Sequence, residues 1–218
     1  MLSSRPDISF AVNYLSRFQN GATDTHWAYL KRVLRYLQGT KDFRLVYTKQ
    51  DEGGEPIIGF ADADWDWGND VDTRHSTSGY LFQIFGNTVA WTSRKQTTVS
   101  LSSTEAEYES LSQAACDAIW VKNLLSEFGV VLRSPLIIHK DNQSCIHIAE
   151  EPRDQKRMKH LDIRYNFIRE CIQDKIIKLQ YIATSHQLAD VLTKSLPAGP
   201  LKHHRASLGL RGGVKEQP

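Results

Sequence analysis

Four acidic residues, Asp62, Glu107, Asp141 and Asp190, stand where the local pattern predicts a strand end, the first turns of a long helix, a second strand end and a short final helix. Carboxylates that converge on two cations roughly 4 Å apart can orient a water molecule and stabilise a leaving oxygen, which is the chemistry of phosphodiester hydrolysis. Hard oxygen ligands select Mg²⁺ or Mn²⁺, so two such ions are the cofactors this set would take. Two neighbouring acids have plainer readings. Asp64 lies two residues from Asp62 and so faces the same side of a strand, as a surface or loop partner. Glu105 suits a charge at the positive end of a helix, and the inward stripe of Leu111 and Ala114 favours Glu107 as the ligand, leaving Glu105 with Glu109 and Ser112 on a solvated side.

The elements that must position these acids follow from periodicity. Alternating apolar residues predict strands at Ile57–Asp62, Gly79–Phe85 and Val89–Thr92, the last two joined by a turn at Gly86-Asn87, which makes an antiparallel meander. A helix from Ser103 to Phe128 follows, capped by Ser102 or Ser103 and closed by Gly129. Beyond it the pattern gives a strand at Leu136–His139, a helix near Gln143–Glu150, a basic loop over 152–161, a helix at Ile163–Gln173, a strand at Ile177–Ile182 and a helix from Gln187 to about Thr193. This order predicts an α/β fold: a mixed five-stranded sheet with helices on its faces. Upstream, residues 1–50 read as two helices, one opened by Pro6-Asp7 and one with Trp27, Leu30, Leu34 and Leu37 turned inward. The polar, turn-forming run Asp51–Pro56 marks a boundary, and residues 197–218 read as an irregular tail.

Six ordered motifs resemble the ribonuclease H end of copia-type retrotransposon Pol polyproteins: Gly59–Trp65, Asp72–Tyr80, Ser102–Tyr108, Asp141–Ser144, Lys159–Tyr165 and Gln187–Lys194. Upstream, Arg5–Ile8 and Leu34–Thr40 resemble the segment that joins that family's polymerase thumb to its nuclease. The resemblance implies a ribonuclease H-like fold over 51–196, a remnant of reverse transcriptase over 1–50, and hydrolysis of the RNA strand of an RNA/DNA hybrid. It implies Asp62, Glu107, Asp141 and Asp190 as catalytic and metal-binding residues. Ser102, Ser103, Asn142 and Gln143 become the contacts to the hybrid, whose minor groove displays the 2′-hydroxyls that mark RNA. The remainder of a Pol polyprotein is the implied protein partner. The chain departs from the family at Trp65-Asp66-Trp67, where one Trp is usual, and its nearest histidine before the last acid is His186.

Composition fits this picture without singling it out. With 40% hydrophobic and 24% charged residues the chain has too much apolar content for disorder. The net charge of +2 hides segregation: residues 51–75 hold eight acids against Arg74 alone, while 1–50 and 152–178 each hold eight Lys/Arg. Basic flanks around an acidic pocket suit an enzyme acting on a polyanion. Three scattered cysteines suggest neither disulfides nor zinc. No leader and no apolar run near 18 residues is present, so the expectation is an intracellular protein, cytoplasmic, nuclear or inside a retrotransposon particle. His160-Asp162 reads as a structural tie, Trp91 and Trp120 as core, and His203-His204 as too isolated for a metal. Two other readings use the same residues: another two-metal nuclease of this fold, such as a transposase or integrase, and a non-catalytic nucleic-acid-binding relic.

Overall fold

The computed structural model describes residues 1–49, 55–64, 75–130, 132, 134–151 and 162–212. Its centre is a five-stranded sheet in the order β4-β3-β2-β5-β6, built from β2 (Ile57–Asp64), β3 (Thr77–Ile84), β4 (Asn87–Lys95), β5 (Leu136–Lys140) and β6 (Ile177–Tyr181). β2, β3 and β4 form the expected antiparallel meander, and β5 and β6 run parallel to β2. The mixed sheet flanked by helices is therefore as anticipated. The hairpin turn sits one residue earlier than expected. Phe85 and Gly86 both have positive φ, the conformation a two-residue turn needs to match strand twist, and Asn87 already belongs to β4.

The two faces of the sheet are covered by different helices. On one face lies α3 (Ser103–Glu127), whose Ala106, Ala114, Ala115 and Ala118 are wholly buried and let its backbone approach the strands closely. Ser102 caps it through Glu105 N–H, and Gly129 closes it at φ +78. α4 (Gln143–Glu150) and α5 (Asp162–Gln173) complete that layer, with Tyr165 stacked on Tyr108 at 3.9 Å and Arg164 paired with Glu109 at 2.8 Å. Glu109 and Ser112 are buried, not solvated as the periodicity suggested, because α5 covers that flank of α3. The opposite face carries α6 (Asp190–Thr193) and α7 (Ala198–Ser207), which bury Leu188, Val191, Leu192 and Leu208 against Phe60 and Leu81.

Three expectations are corrected here. Residues 198–212 are not irregular: α7 is followed by β7 (Leu210–Gly212), which pairs antiparallel with β1 (Phe43–Leu45). The second N-terminal helix does form, but α2 (Asp24–Gly39) turns a different face inward. Trp27 and Leu34 are 55% and 53% exposed, while Tyr36 reaches the buried Asp7 at 2.6 Å and receives Arg205 of α7 at 3.2 Å. Trp120 is 58% exposed and is not core. The first helix, α1 (Ser9–Ser16), is tied to the sheet by Arg17, which donates to Thr77, and Trp91 donates to the carbonyl of Met1. The boundary placed at 51–56 is thus crossed by hydrogen bonds and by a β-ribbon. Trp65, Asp66, Trp67, Arg74, the basic loop, His160 and part of the boundary itself (51–54) lie outside the described residues.

Candidate metal centre

Three of the four predicted acids meet. Carboxylate oxygens of Asp62, Glu107 and Asp141 lie within 4.8 Å of one another at the ends of β2 and β5 and the first turns of α3. Parity along each strand explains the placement. Asp62 shares a face with Phe60 and points to the α6 side, whereas Leu136, Ile138 and Lys140 share the α3 side. α3 is fixed in height by Ser110, whose hydroxyl donates to the backbone carbonyl of Asp62 at 2.7 Å, so Glu107 one turn earlier comes level with the strand ends. Its Oε2 accepts Ala63 N–H at 3.1 Å. Glu105 instead accepts Leu101 N–H at 2.7 Å and closes the helix start.

Asp190 stands outside this trio but next to it, on α6. The helix is held there by a close approach that glycine alone permits: a Cβ on Gly79 would lie 2.6 Å from Thr193 Cγ2 and 2.8 Å from Leu192 Cβ. Gly79 is the register partner of Asp62, and Thr193 donates to the Asp62 carboxylate. Gln187, fully buried, donates to the carbonyl of Ala61 at 3.0 Å and so sets the approach of the loop before α6.

Two lysines that the sequence reading did not single out complete the centre. Lys140 is wholly buried and donates to Glu107 Oε2. Lys194 lies 3.0 Å from Asp190 Oδ1 and 3.7 Å from Asp62 Oδ2, about one third exposed. The signals were present: Lys140 falls on the buried parity of β5, and Lys194 is four residues after Asp190 on one helical face.

The electrostatics share one cause. Burial, reinforced by Asp62 and Asp141 and only partly offset by Lys140, pushes the Glu107 carboxyl up to about 8. Burial and the neighbouring Asp62 push Asp190 up to about 7, against the pull of Lys194. For Lys140, burial works against the charge, yet Glu107 and Asp62 outweigh it and hold the ammonium above its usual range. All three shifts favour the protonated form, as they must where four carboxyl groups outnumber two ammoniums in a poorly hydrated place. Asp141 Oδ1 is buried without a hydrogen-bond partner among the described residues. An orphaned carboxylate oxygen within a crowded acidic trio fits divalent-metal binding.

The predicted nucleic-acid contacts lie at the starts of α3 and α4. Ser102, Ser103 and Gln143 are exposed at the starts of α3 and α4, while the side chain of Asn142 is engaged in capping α4 through Cys145 N–H at 2.9 Å. His203 and His204 are not isolated: with His186 they line a cleft that also reaches Asp190.

The chain is 38% identical over 207 residues, 95% of its length, to the Pol polyprotein of transposon RE2 from Arabidopsis thaliana. Over that span it is similar to copia-type retrotransposon Pol polyproteins. The chain spans 14% of that relative's length. It is also 50% identical over 121 residues to a secreted RxLR effector protein 161 from Plasmopara viticola, covering 56% of this chain and 82% of that one. A solved RNase H1 isolated from compost is similar with a TM-score of 0.49 at 18% identity, over 64% of this chain and 94% of that one. No family model matches the chain. The strand order β4-β3-β2-β5-β6 gives the mixed five-stranded sheet flanked by helices that was expected. Among the described residues no helix is long and apolar enough to cross a membrane.

Proposed function

We propose that the chain is a ribonuclease H that hydrolyses the RNA strand of RNA/DNA hybrids with Mg²⁺ or Mn²⁺, two ions being held by Asp62, Glu107, Asp141 and Asp190. The observation that carries the reading is the carboxylate trio, gathered within 4.8 Å where β2 and β5 end and α3 begins. Bound divalent ions supply Lewis-acid polarisation of the phosphate and a more acidic attacking water. The protein's own residues do the rest. Asp62 is held rigid by Thr193, Glu107 by Ala63 N–H and Lys140, and Asp190 by the seating of α6 on Gly79. Gln143 offers its amide to the 2′-hydroxyls of the minor groove and Ser102 and Ser103 contact the hybrid's backbone, with Asn142 fixing the start of α4.

The same reading assigns residues 1–50 to the end of a reverse transcriptase, 51–196 to the nuclease, and the rest of a Pol polyprotein as its protein partner. The site of action is then the cytoplasm, the nucleus or a retrotransposon particle. The test is incubation of the purified chain with an end-labelled RNA/DNA hybrid. Cleavage of the RNA strand that needs Mg²⁺ or Mn²⁺ and falls by orders of magnitude in Asp62→Asn is expected. Equal cleavage in chelator, or by the variant, overturns the reading.

A further inference from the structure

Lysine is among the residues least often buried completely, and Lys140 is buried completely where, among the described residues, three carboxylates converge. Its position follows from β5. Leu136 and Ile138 on the same parity belong to the core beneath α3, so the Lys140 stem continues that apolar row and delivers its ammonium to the strand end. There it takes Glu107 Oε2, an oxygen that also accepts Ala63 N–H. With both donors on Oε2, Oε1 is the Glu107 oxygen left to a ligand as far as the described residues go. Lys194 is different in kind. It is one third exposed, spans Asp62 and Asp190 from the surface side, and can turn into solvent without stranding a buried charge. Lys140 has no such exit, because an ammonium parted from its carboxylate inside the core is far costlier than the pair.

We propose that Lys140 is a positioning residue built into the carboxylate centre: a permanent internal cation that locks Glu107 through Oε2 and weakens the centre's hold on divalent ions in exchange for a fixed ligand geometry. The proposal rests on the metal-dependent reading above. Glu107 then serves as a monodentate ligand, and the centre is ordered before any divalent ion arrives. Lys194 is the exchangeable counter-ion and Lys140 the fixed one.

Lys140→Met keeps the stem's shape and removes the charge, so it separates the two consequences. Mn²⁺ binding by the full chain, followed by electron paramagnetic resonance, is expected to tighten by at least about tenfold, since one unit charge within a few ångströms is removed. Single-turnover cleavage of a hybrid at saturating Mn²⁺ is expected to slow at the same time, because Glu107 loses the donor that orients it. Tighter metal with slower turnover is a split that a purely structural role does not produce. A folded Lys140→Met with unchanged or weaker Mn²⁺ affinity overturns the proposal, and so does tighter binding with undiminished turnover. If Lys140→Met does not fold, stability is compared between Glu107→Gln and Glu107→Gln/Lys140→Met. The double variant is expected to melt higher, since the single one leaves the buried ammonium without its carboxylate, and the opposite order overturns the pairing. Absence of Mn²⁺ binding by the unaltered chain brings down the metal-dependent reading and this proposal with it, whereas normal binding there confines a failure to Lys140.

Discussion

Gly79→Ala tests whether the placement of Asp190 depends on a single missing methyl group. The added Cβ meets Thr193 Cγ2 at 2.6 Å, Leu192 Cβ at 2.8 Å and the Leu192 backbone carbon at 3.2 Å. Restoring carbon–carbon contacts of about 3.5–4.0 Å requires α6 to withdraw by roughly 1 Å. The helix is only four residues long and is sewn to the sheet by Thr193 on Asp62, so it must shift as a unit. Overpacking of this kind costs about 1–3 kcal/mol, a loss that lowers the melting temperature by several degrees but leaves the fold standing. A displacement of about 1 Å in a ligating group costs on the order of a hundredfold in rate. The expected result is therefore a modest thermal shift with a disproportionate loss of single-turnover cleavage. Gly79→Ala with wild-type turnover would falsify the claim that α6 must sit this close, and an equal fractional loss of folded protein and activity would reduce the effect to stability.

Glu107→Gln should lose turnover by orders of magnitude, whereas Glu105→Gln, which gives up the carboxylate on Leu101 N–H, should cost about 1 kcal/mol or less of stability and little activity; the reverse ranking in single-turnover assays would mean that α3 is rotated. A chain beginning at residue 51 removes β1 and Tyr36 and exposes Leu210, worth about 1.5–3 kcal/mol when buried, so calorimetry should show a melting temperature lower by about 5 °C or more on the size scaling for such domains. An unchanged melting temperature would restore the view of a detachable appendage. His204 is buried beside His203, Lys194 and His186, and burial first, then repulsion from that basic cluster, holds its pKa below 6.5. Its unfolded form takes up a proton that the folded form refuses, so stability is complete above about pH 6.5 and declines as pH falls below it. His204→Leu should flatten that decline between pH 7 and 5.5 in thermal melts, and an identical acid limb in the variant counts against the assignment.

The strand order and the long helix were legible because each strand alternates cleanly and α3 carries its own cap and stop, Ser102 and Gly129. Asp62, Glu107 and Asp141 could be placed for the same reason, since a strand end and a helix start are local features. What the pattern hid is non-local. Glu109 looks like a surface acid until Arg164 arrives from α5, 55 positions later. The apolar stripe of α2 suggested that Trp27 and Leu34 face inward, but the buried Asp7 offers Tyr36 a charged acceptor, and that hydrogen bond together with Arg205 sets the rotation of the helix instead. Gly and Pro at 197–200 read as irregular, yet Pro197 and Pro200 tolerate a helix start, and residues 198–207 are helical. Lys140 was passed over because a lysine on a strand suggests solvent, and its partner is 33 residues away.

The β1–β7 ribbon pairs Phe43 with Gly212, so the two ends of the segment 43–212 lie side by side, about 5 Å apart across an antiparallel pair. Residues 44–211 are in that sense a lariat, with the ribbon as its knot. In a longer polypeptide the span between whatever precedes residue 43 and whatever follows residue 212 is then set by one strand spacing and not by the size of the globule between them. Insertions or losses within the lariat leave the reach of the flanking segments untouched, and a scissile bond cut anywhere inside it leaves those flanks still joined by backbone hydrogen bonds.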